Sequence, residues 1–296
     1  MQQVIGIDLG GTNLRVAVVN EDGTLVKETS TPTDSDRGPE AIIEDMIRFI
    51  TDFQVEFPGI TGVGIGSPGP LDAETGVILN PPNLPGWKHV PLTKQIREAV
   101  NLPVFLENDA NVAALAEATS GAGVGHESVY YITWSTGIGG GFVLKGKLQP
   151  GSAGYAGEIG NMIVQPGGTQ YATLNPGALE AVASGTAIGL EGKRQLGIDG
   201  GAEVVFNLAN KGNTEAKRII DDAMDYLAIG IANITFALDP SLFILGGGVM
   251  QAGDELLTSL HEKVHSILYE GQKVEMKKAT LGGKAGVIGA AQLALA

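Results

Sequence analysis

Cysteine is absent from the 296 residues, which excludes disulfides and thiolate metal sites outright. Basic residues are scarce: 19 Lys and Arg stand against 33 Asp and Glu, for a net charge of −14. A nucleic-acid surface needs clustered cations, so the balance argues against that partner, and any phosphate contact must be local. No apolar run approaches the roughly 20 residues of a membrane-spanning helix. The first strand starts too close to Met1 for a signal segment, and a cytoplasmic protein that does not engage membranes is expected. Aromatics make up only 5% of the chain, whereas glycine is abundant at 44 residues and hydrophobic content reaches 43%. That mixture suits an α/β protein with tight turns and ligand loops built from backbone. The length falls where a single core begins to split, so two lobes are expected.

Residues 3–9 and 14–19 read as strands joined by a glycine turn, with a third strand over 24–29. Ile42, Ile43, Met46, Ile47, Ile50 and Phe53 recur at helical spacing and predict an amphipathic helix over 39–55. Strands follow at 61–66 and 103–107, then an alanine-rich helix over 110–118 with Asn108 or Asp109 near its cap. Beyond Ser120 the opening repeats: strand 128–134, a glycine turn, strand 141–145. Two similar halves suggest an internal duplication. A long helix over 214–238, a strand at 242–246 and helices over 254–269 and 285–296 complete the pattern. The first lobe is expected over 1–120 plus 285–296, the second over 121–284.

Three glycine motifs carry chemistry. Asp8-Leu9-Gly10-Gly11-Thr12 links the first two strands: glycines let backbone approach a phosphate, Thr12 can donate a hydrogen bond, and Asp8 can hold Mg²⁺. Alone it is ordinary hairpin punctuation. Ser135-Thr136-Gly137-Ile138-Gly139-Gly140-Gly141 stands at the equivalent place in the second half, and two such loops can bind a triphosphate through N–H groups with little cationic side-chain charge. Ile244-Leu245-Gly246-Gly247-Gly248-Val249 ends a strand, where an adenosine could lie on a flat glycine surface.

In this order the loops resemble those of the sugar kinase, actin and heat-shock ATPase superfamily. The resemblance narrows to the ROK family (repressors, open reading frames and kinases) through Asn83-Leu84-Pro85-Gly86-Trp87, Glu107-Asn108-Asp109-Ala110-Asn111, Gly157-Glu158-Ile159-Gly160 and Leu179-Glu180-Ala181-Val182-Ala183-Ser184-Gly185. It spans nearly the whole chain. It implies an α/β, two-lobed ribonuclease H-like (actin/sugar kinase) fold with duplicated mixed β-sheet domains. It implies ATP with Mg²⁺, held by Asp8, Gly10, Gly11 and Thr12, by Thr136, Gly137 and Gly139, and by Gly246, Gly247 and Gly248, with Asp8 as the Mg²⁺ group. Asp109 would be the catalytic base and Asn108, Glu158 and Glu180 would bond sugar hydroxyls, with Gly66 and Asn83 at the pocket edge. On the residues alone, Asp109 reads as a helix cap. The implied reaction is phosphorylation of a hexose, first of all glucose to glucose 6-phosphate; fructose, mannose and N-acetylmannosamine are alternatives, and a homodimer is implied.

The pattern departs from the family at one place. Relatives of this type follow Gly-Glu-Ile-Gly with a histidine that binds zinc together with three nearby cysteines, and that histidine also touches the sugar. Here the position is Asn161, and residues 162–179 contain neither Cys nor His, so no zinc site of that kind forms there. Asn161 is expected to donate one hydrogen bond to the sugar. Hydrogen bonds and packing of Tyr171, Leu174 and Pro176 are expected to replace the metal in fixing the loop. His261-Glu262-Lys263-Val264-His265 matches the zinc-protease pattern HExxH, but no third ligand is evident nearby and the segment reads as an ordinary partly exposed helix. Two other functions remain in view: a sugar-responsive repressor, which would carry a helix-turn-helix domain ahead of the first glycine loop, and a non-catalytic sugar sensor. Retention of Asp8, Asp109 and all three glycine loops speaks against the sensor.

Overall fold

The computed structural model describes residues 2–253 and 255–295. The described residues divide into two compact units. Residues up to Val124, Gly146–Gly154 and the segment from Leu281 form the first; Gly125–Lys145 and Tyr155–Thr280 form the second.

The first unit opens with β1 (Gln3–Leu9), β2 (Asn13–Asn20) and β3 (Leu25–Pro32), a meander whose apolar side chains feed the core. Helix α1 (Gly38–Glu56) buries Ile42, Ile43, Met46, Ile50 and Phe53, the stripe its spacing predicts, and starts with a proline in its first turn, where a missing N–H costs nothing. Next come β4 (Ile60–Ser67), the two-residue strands β5 (Leu71–Asp72) and β6 (Val77–Ile78), α2 (Leu92–Val100), β7 (Val104–Asn108) and α3 (Asp109–Ser120). The main sheet runs β3-β2-β1-β4-β7, antiparallel at β1–β2 and β2–β3 and parallel at β1–β4 and β4–β7.

The second unit repeats this plan. β8 (Ser128–Trp134) and β9 (Ile138–Leu144) come first, β10 (Lys147–Leu148) falls within the Gly146–Gly154 piece of the first unit, and α4 (Leu179–Ala183), α5 (Gly185–Leu196), α6 (Gly201–Asn210) and α7 (Thr214–Leu238) follow. β11 (Leu242–Gly246), α8 (Glu255–Ile267) and β12 (Met276–Lys278) follow, and α9 (Ala285–Leu293) belongs to the first unit. Within the second unit the sheet runs β9-β8-β11-β12, again antiparallel at its β8–β9 hairpin and parallel at β8–β11 and β11–β12. The matching order is the structural counterpart of the repeat read from the glycine turns. Trp134, Leu179, Leu227, Ile231, Phe243 and Leu245 are among the side chains of its core. The side chain of Asn213 caps α7 by accepting from the Ala216 N–H at 2.8 Å, and the helix stops where Asp239 turns left-handed ahead of Pro240.

Two expectations change. β9 begins at Ile138 rather than at Gly141, so Gly139 and Gly140 are strand residues and only Ser135-Thr136-Gly137 forms the turn. Helices α2, α4, α5 and α6 have no counterpart among the expected elements; each is short and offers a few turns of apolar spacing at most. The predicted termini at Asp254 and Ala296 lie outside the described residues. Among the described residues, no helix is long and apolar enough to cross a membrane.

Candidate active site

In the first unit the chain reverses between β1 and β2 through Gly10, whose N–H donates to the Asn13 carbonyl at 3.0 Å; Thr33 donates its hydroxyl to the Gly10 carbonyl at 2.6 Å. A Cβ on Gly11 would stand 2.8 Å from the Asn83 carbonyl, so the turn and the Asn83 loop touch backbone to backbone. Buried Leu84 and Trp87 anchor that loop and leave Asn83 exposed.

Asp8 lies opposite Arg15 in the β1–β2 register. Its carboxyl is held above the usual range, chiefly by burial and further by Glu28, with Arg15 opposing. A carboxylate with a raised folded pKa favours folding fully only below its unfolded value, and that contribution is lost as pH rises through the folded value. Asp8→Asn is therefore expected to raise the melting temperature at neutral pH, with the gain fading in acid, while ATP-dependent turnover falls. Melting curves at both pH values check this; a lower neutral melting temperature would contradict it.

Asn108 ends β7 and caps α3, its Oδ1 accepting the Ala110 N–H at 2.9 Å. Asp109 is the first helical residue and is exposed. Its Oδ1 also accepts from the Ala110 N–H, at 2.8 Å. The junction is fixed from below by buried Glu107, whose Oε1 accepts the Asn108 N–H at 2.8 Å and the Asn111 side-chain amide at 3.0 Å. Both residues stand in the motif read from the sequence, but their positioning role needs the structure. Gly66 pairs with Glu107 and is buried; a Cβ there would meet Val112 of α3 at 2.7 Å. Its small size lets α3 pack.

In the second unit, Glu180 Oε2 accepts the Ile138 N–H at 2.8 Å and lies over Gly137. The Ser135 carbonyl accepts from Gly185 N–H at 2.8 Å, and the Thr136 carbonyl accepts from the Thr186 hydroxyl at 2.8 Å. The glycine turn is thus tied to α4 and to the start of α5. Glu158 is exposed, and its carboxyl is pushed up by loss of water around it and then by the negative charge of Glu180.

Beside this turn opens a cavity of about 600 Å³ lined by Thr136, Thr186, Glu203, Phe206, Asn207 and Gly248, among others. Of the third motif, only Gly248 has open space at its Cβ position. A Cβ on Gly246 would meet the Tyr131 hydroxyl, and one on Gly247, at φ 90°, would stand 2.3 Å from the Trp134 carbonyl. The flat glycine surface is therefore one residue wide, and the α6 side chains build much of the wall. Those α6 residues escaped sequence reading; the only signal was the Gly200-Gly201 pair ahead of an apolar stretch.

Asn161 does not point a free amide carbonyl at a ligand. Its Oδ1 accepts the Asn175 N–H at 2.8 Å, and its backbone carbonyl accepts the Asn175 amide at 3.4 Å. Tyr171 and Pro176 are exposed and Leu174 is half-buried, so of the three expected side chains only Leu174 can add packing to the 162–179 loop, and packing alone does not fix it. Hydrogen bonds do: Val164 N–H to the Gly177 carbonyl at 3.0 Å, Gly177 N–H to the Thr169 carbonyl at 2.9 Å, and the Gln165 amide to the Tyr226 hydroxyl at 2.5 Å. Asn161→Ala is expected to speed hydrogen exchange at Asn175 and its neighbours with little change in global melting; unchanged exchange there would remove Asn161 as the staple. No group of three or more His, Cys, Asp or Glu suited to a metal ion occurs among the described residues.

The sequence signature described as the ROK family matches residues 4–296. A glucokinase of Thermotoga maritima is 36% identical, over 98% of this chain and 96% of its own. Among solved structures, a ROK hexokinase from Thermus thermophilus superposes with a TM-score of 0.92 at 37% identity, covering 98% of this chain and 97% of that one. A ROK family glucokinase from Streptomyces griseus, solved with glucose and AMPPNP, superposes at 0.79 with 32% identity and 98% coverage of both chains.

Proposed function

The chain belongs to the ROK family, and from that premise we propose that it is an ATP-dependent hexose kinase whose preferred acceptor is glucose, phosphorylated at its 6-hydroxyl. The observation that carries this is Asp109, exposed on the first residue of α3 and held there by the buried Glu107–Asn111 pair. Phosphoryl transfer asks little covalent chemistry of a protein. It needs positioning, charge stabilisation and an acceptor for the hydroxyl proton.

Asp109 accepts the proton of the sugar hydroxyl as its oxygen attacks the γ-phosphorus, and the bond to the β,γ-bridging oxygen breaks to release ADP. Glu158 and Glu180 accept hydrogen bonds from the hydroxyls that do not react, and Asn108 offers its amide. Adenosine enters the cavity beside Thr136, where Phe206 supplies apolar surface and Glu203 and Asn207 supply polar edges. Phosphate oxygens are met by backbone N–H groups of the glycine turns, which suits a chain with so few cations. Asp8 is the carboxylate suited to the Mg²⁺ that accompanies the triphosphate: it is largely buried, and a cation beside it would offset the cost of ionisation there. When bound, Mg²⁺ neutralises charge on the phosphates.

The substrate assignment rests on family membership together with a second carboxyl, Glu180, near enough to Glu158 to raise it electrostatically. A coupled ADP-release assay with MgATP over glucose, mannose, fructose, N-acetylglucosamine and N-acetylmannosamine tests it. The highest kcat/KM is expected with glucose; a higher value with an N-acetylated sugar would move the specificity and leave the mechanism.

A further inference from the structure

The HExxH segment of α8 is the one chemistry-bearing motif that sugar phosphorylation leaves unused. Four residues apart on one helix, His261 and His265 share a face. Their Nε2 atoms stand 3.1 Å apart and their ring centroids 4.3 Å apart. Bonds from imidazole nitrogen to such ions are about 2.0–2.1 Å long, so two nitrogens at this separation subtend about 98° at a shared ion. That angle lies between the right angle of square-planar coordination and the tetrahedral angle. In the metal-free protein the two Nε2 atoms lie within hydrogen-bond distance of each other, and closing the bite turns the His261 ring off the Val274 carbonyl. Lys263, the cation between the two histidines in sequence, is tied to Asp221 and Asp225 of α7 at 2.8 and 2.5 Å.

We propose that His261 and His265 form a two-histidine site for a late first-row divalent cation, with Cu²⁺ bound most tightly, then Ni²⁺ and Zn²⁺, and water completing the coordination. The order follows the general preference of imidazole sites. Because no group of three ligands forms among the described residues, the ion exchanges freely, unlike one in a closed four-ligand structural site. In the metal-free protein the Nε2–H of His261 can donate to the Val274 carbonyl, 3.1 Å away. Binding requires the lone pair of both Nε2 atoms, so the His261 hydrogen moves to Nδ1 and that bond is given up. Val274 precedes β12, and the ion thus replaces one link between α8 and that segment by a tighter one within α8.

The test is independent of kinase activity. Cu²⁺ is titrated into full-length, chelator-treated protein and followed by calorimetry and electron paramagnetic resonance. One equivalent is expected to bind, with hyperfine structure from two imidazole nitrogens. Both features should be lost in His261→Gln and in His265→Gln, and kept in a His89→Gln, His126→Gln double variant. Ni²⁺ should raise the melting temperature of the wild type with the logarithm of its concentration once that exceeds Kd, and leave His265→Gln unmoved. Two outcomes would overturn the proposal: Cu²⁺ binding unchanged in either single variant, or a wild-type spectrum with one nitrogen or none. Circular dichroism of each variant separates loss of the site from loss of the fold.

Discussion

Replacing Asp109 with Asn will lower kcat for sugar phosphorylation by about 10²–10⁴-fold, the usual effect of removing a general base, and leave glucose affinity within a few-fold of wild type. The substitution isolates chemistry from architecture. Asn retains a carbonyl oxygen where Asp109 Oδ1 meets the Ala110 N–H, and Asn108 still caps the helix, so α3 keeps its start. What Asn cannot do is take the hydroxyl proton. Stopped assays give kcat, and calorimetry gives the affinity. A variant that keeps wild-type kcat would reduce Asp109 to a second cap, the reading favoured by its residue type alone.

Glu180→Ala is expected to raise KM for the sugar about 10–100-fold, the range corresponding to loss of a hydrogen bond to a charged group. It will also lower the melting temperature, because the Ile138 N–H loses its 2.8 Å acceptor at the root of the second glycine turn. Glu180→Gln separates the two effects. Its amide oxygen can still accept from Ile138, so stability should return while the sugar remains weakly bound. If Glu180→Ala loses stability but keeps the wild-type KM, Glu180 supports the turn and does not touch the sugar.

Much of this architecture was legible because the local signals were strong. Helices α1 and α7 carry long apolar stripes and clear ends, and their observed bounds differ from expectation by no more than a residue. The duplication is legible in the paired strand, glycine turn, strand openings alone. The misses share a physical cause. Ile138 to Gly140 read as loop because glycines are poor strand residues by propensity, yet pairing with Trp134 to Ile132 of β8 holds them extended. Helix α6 falls within ten residues and depends on tertiary packing of Val205, Phe206 and Ala209.

For the site, the family resemblance marked Asp109, Glu158 and Glu180, whereas the residue pattern alone marked the three glycine motifs and left Asp109 as a helix cap. That pattern could not distinguish Gly248, which faces the cavity, from Gly246 and Gly247, which are glycines for lack of room. Nor could it reveal that Asn161 spends its side-chain carbonyl on Asn175. That distance in sequence carries no pattern. The polar wall supplied by Glu203 and Asn207 is equally silent, since exposed polar side chains on a short helix look the same whether they face a cavity or solvent.

The most direct measurement is phosphorus magnetic resonance of MgATP and glucose with the purified protein, run beside Asp109→Asn. The account predicts growth of a glucose 6-phosphate signal matched by ADP with the wild type, and no sugar ester with the variant. Conversion of ATP to inorganic phosphate without a sugar ester, or bound glucose with no reaction at all, would contradict it.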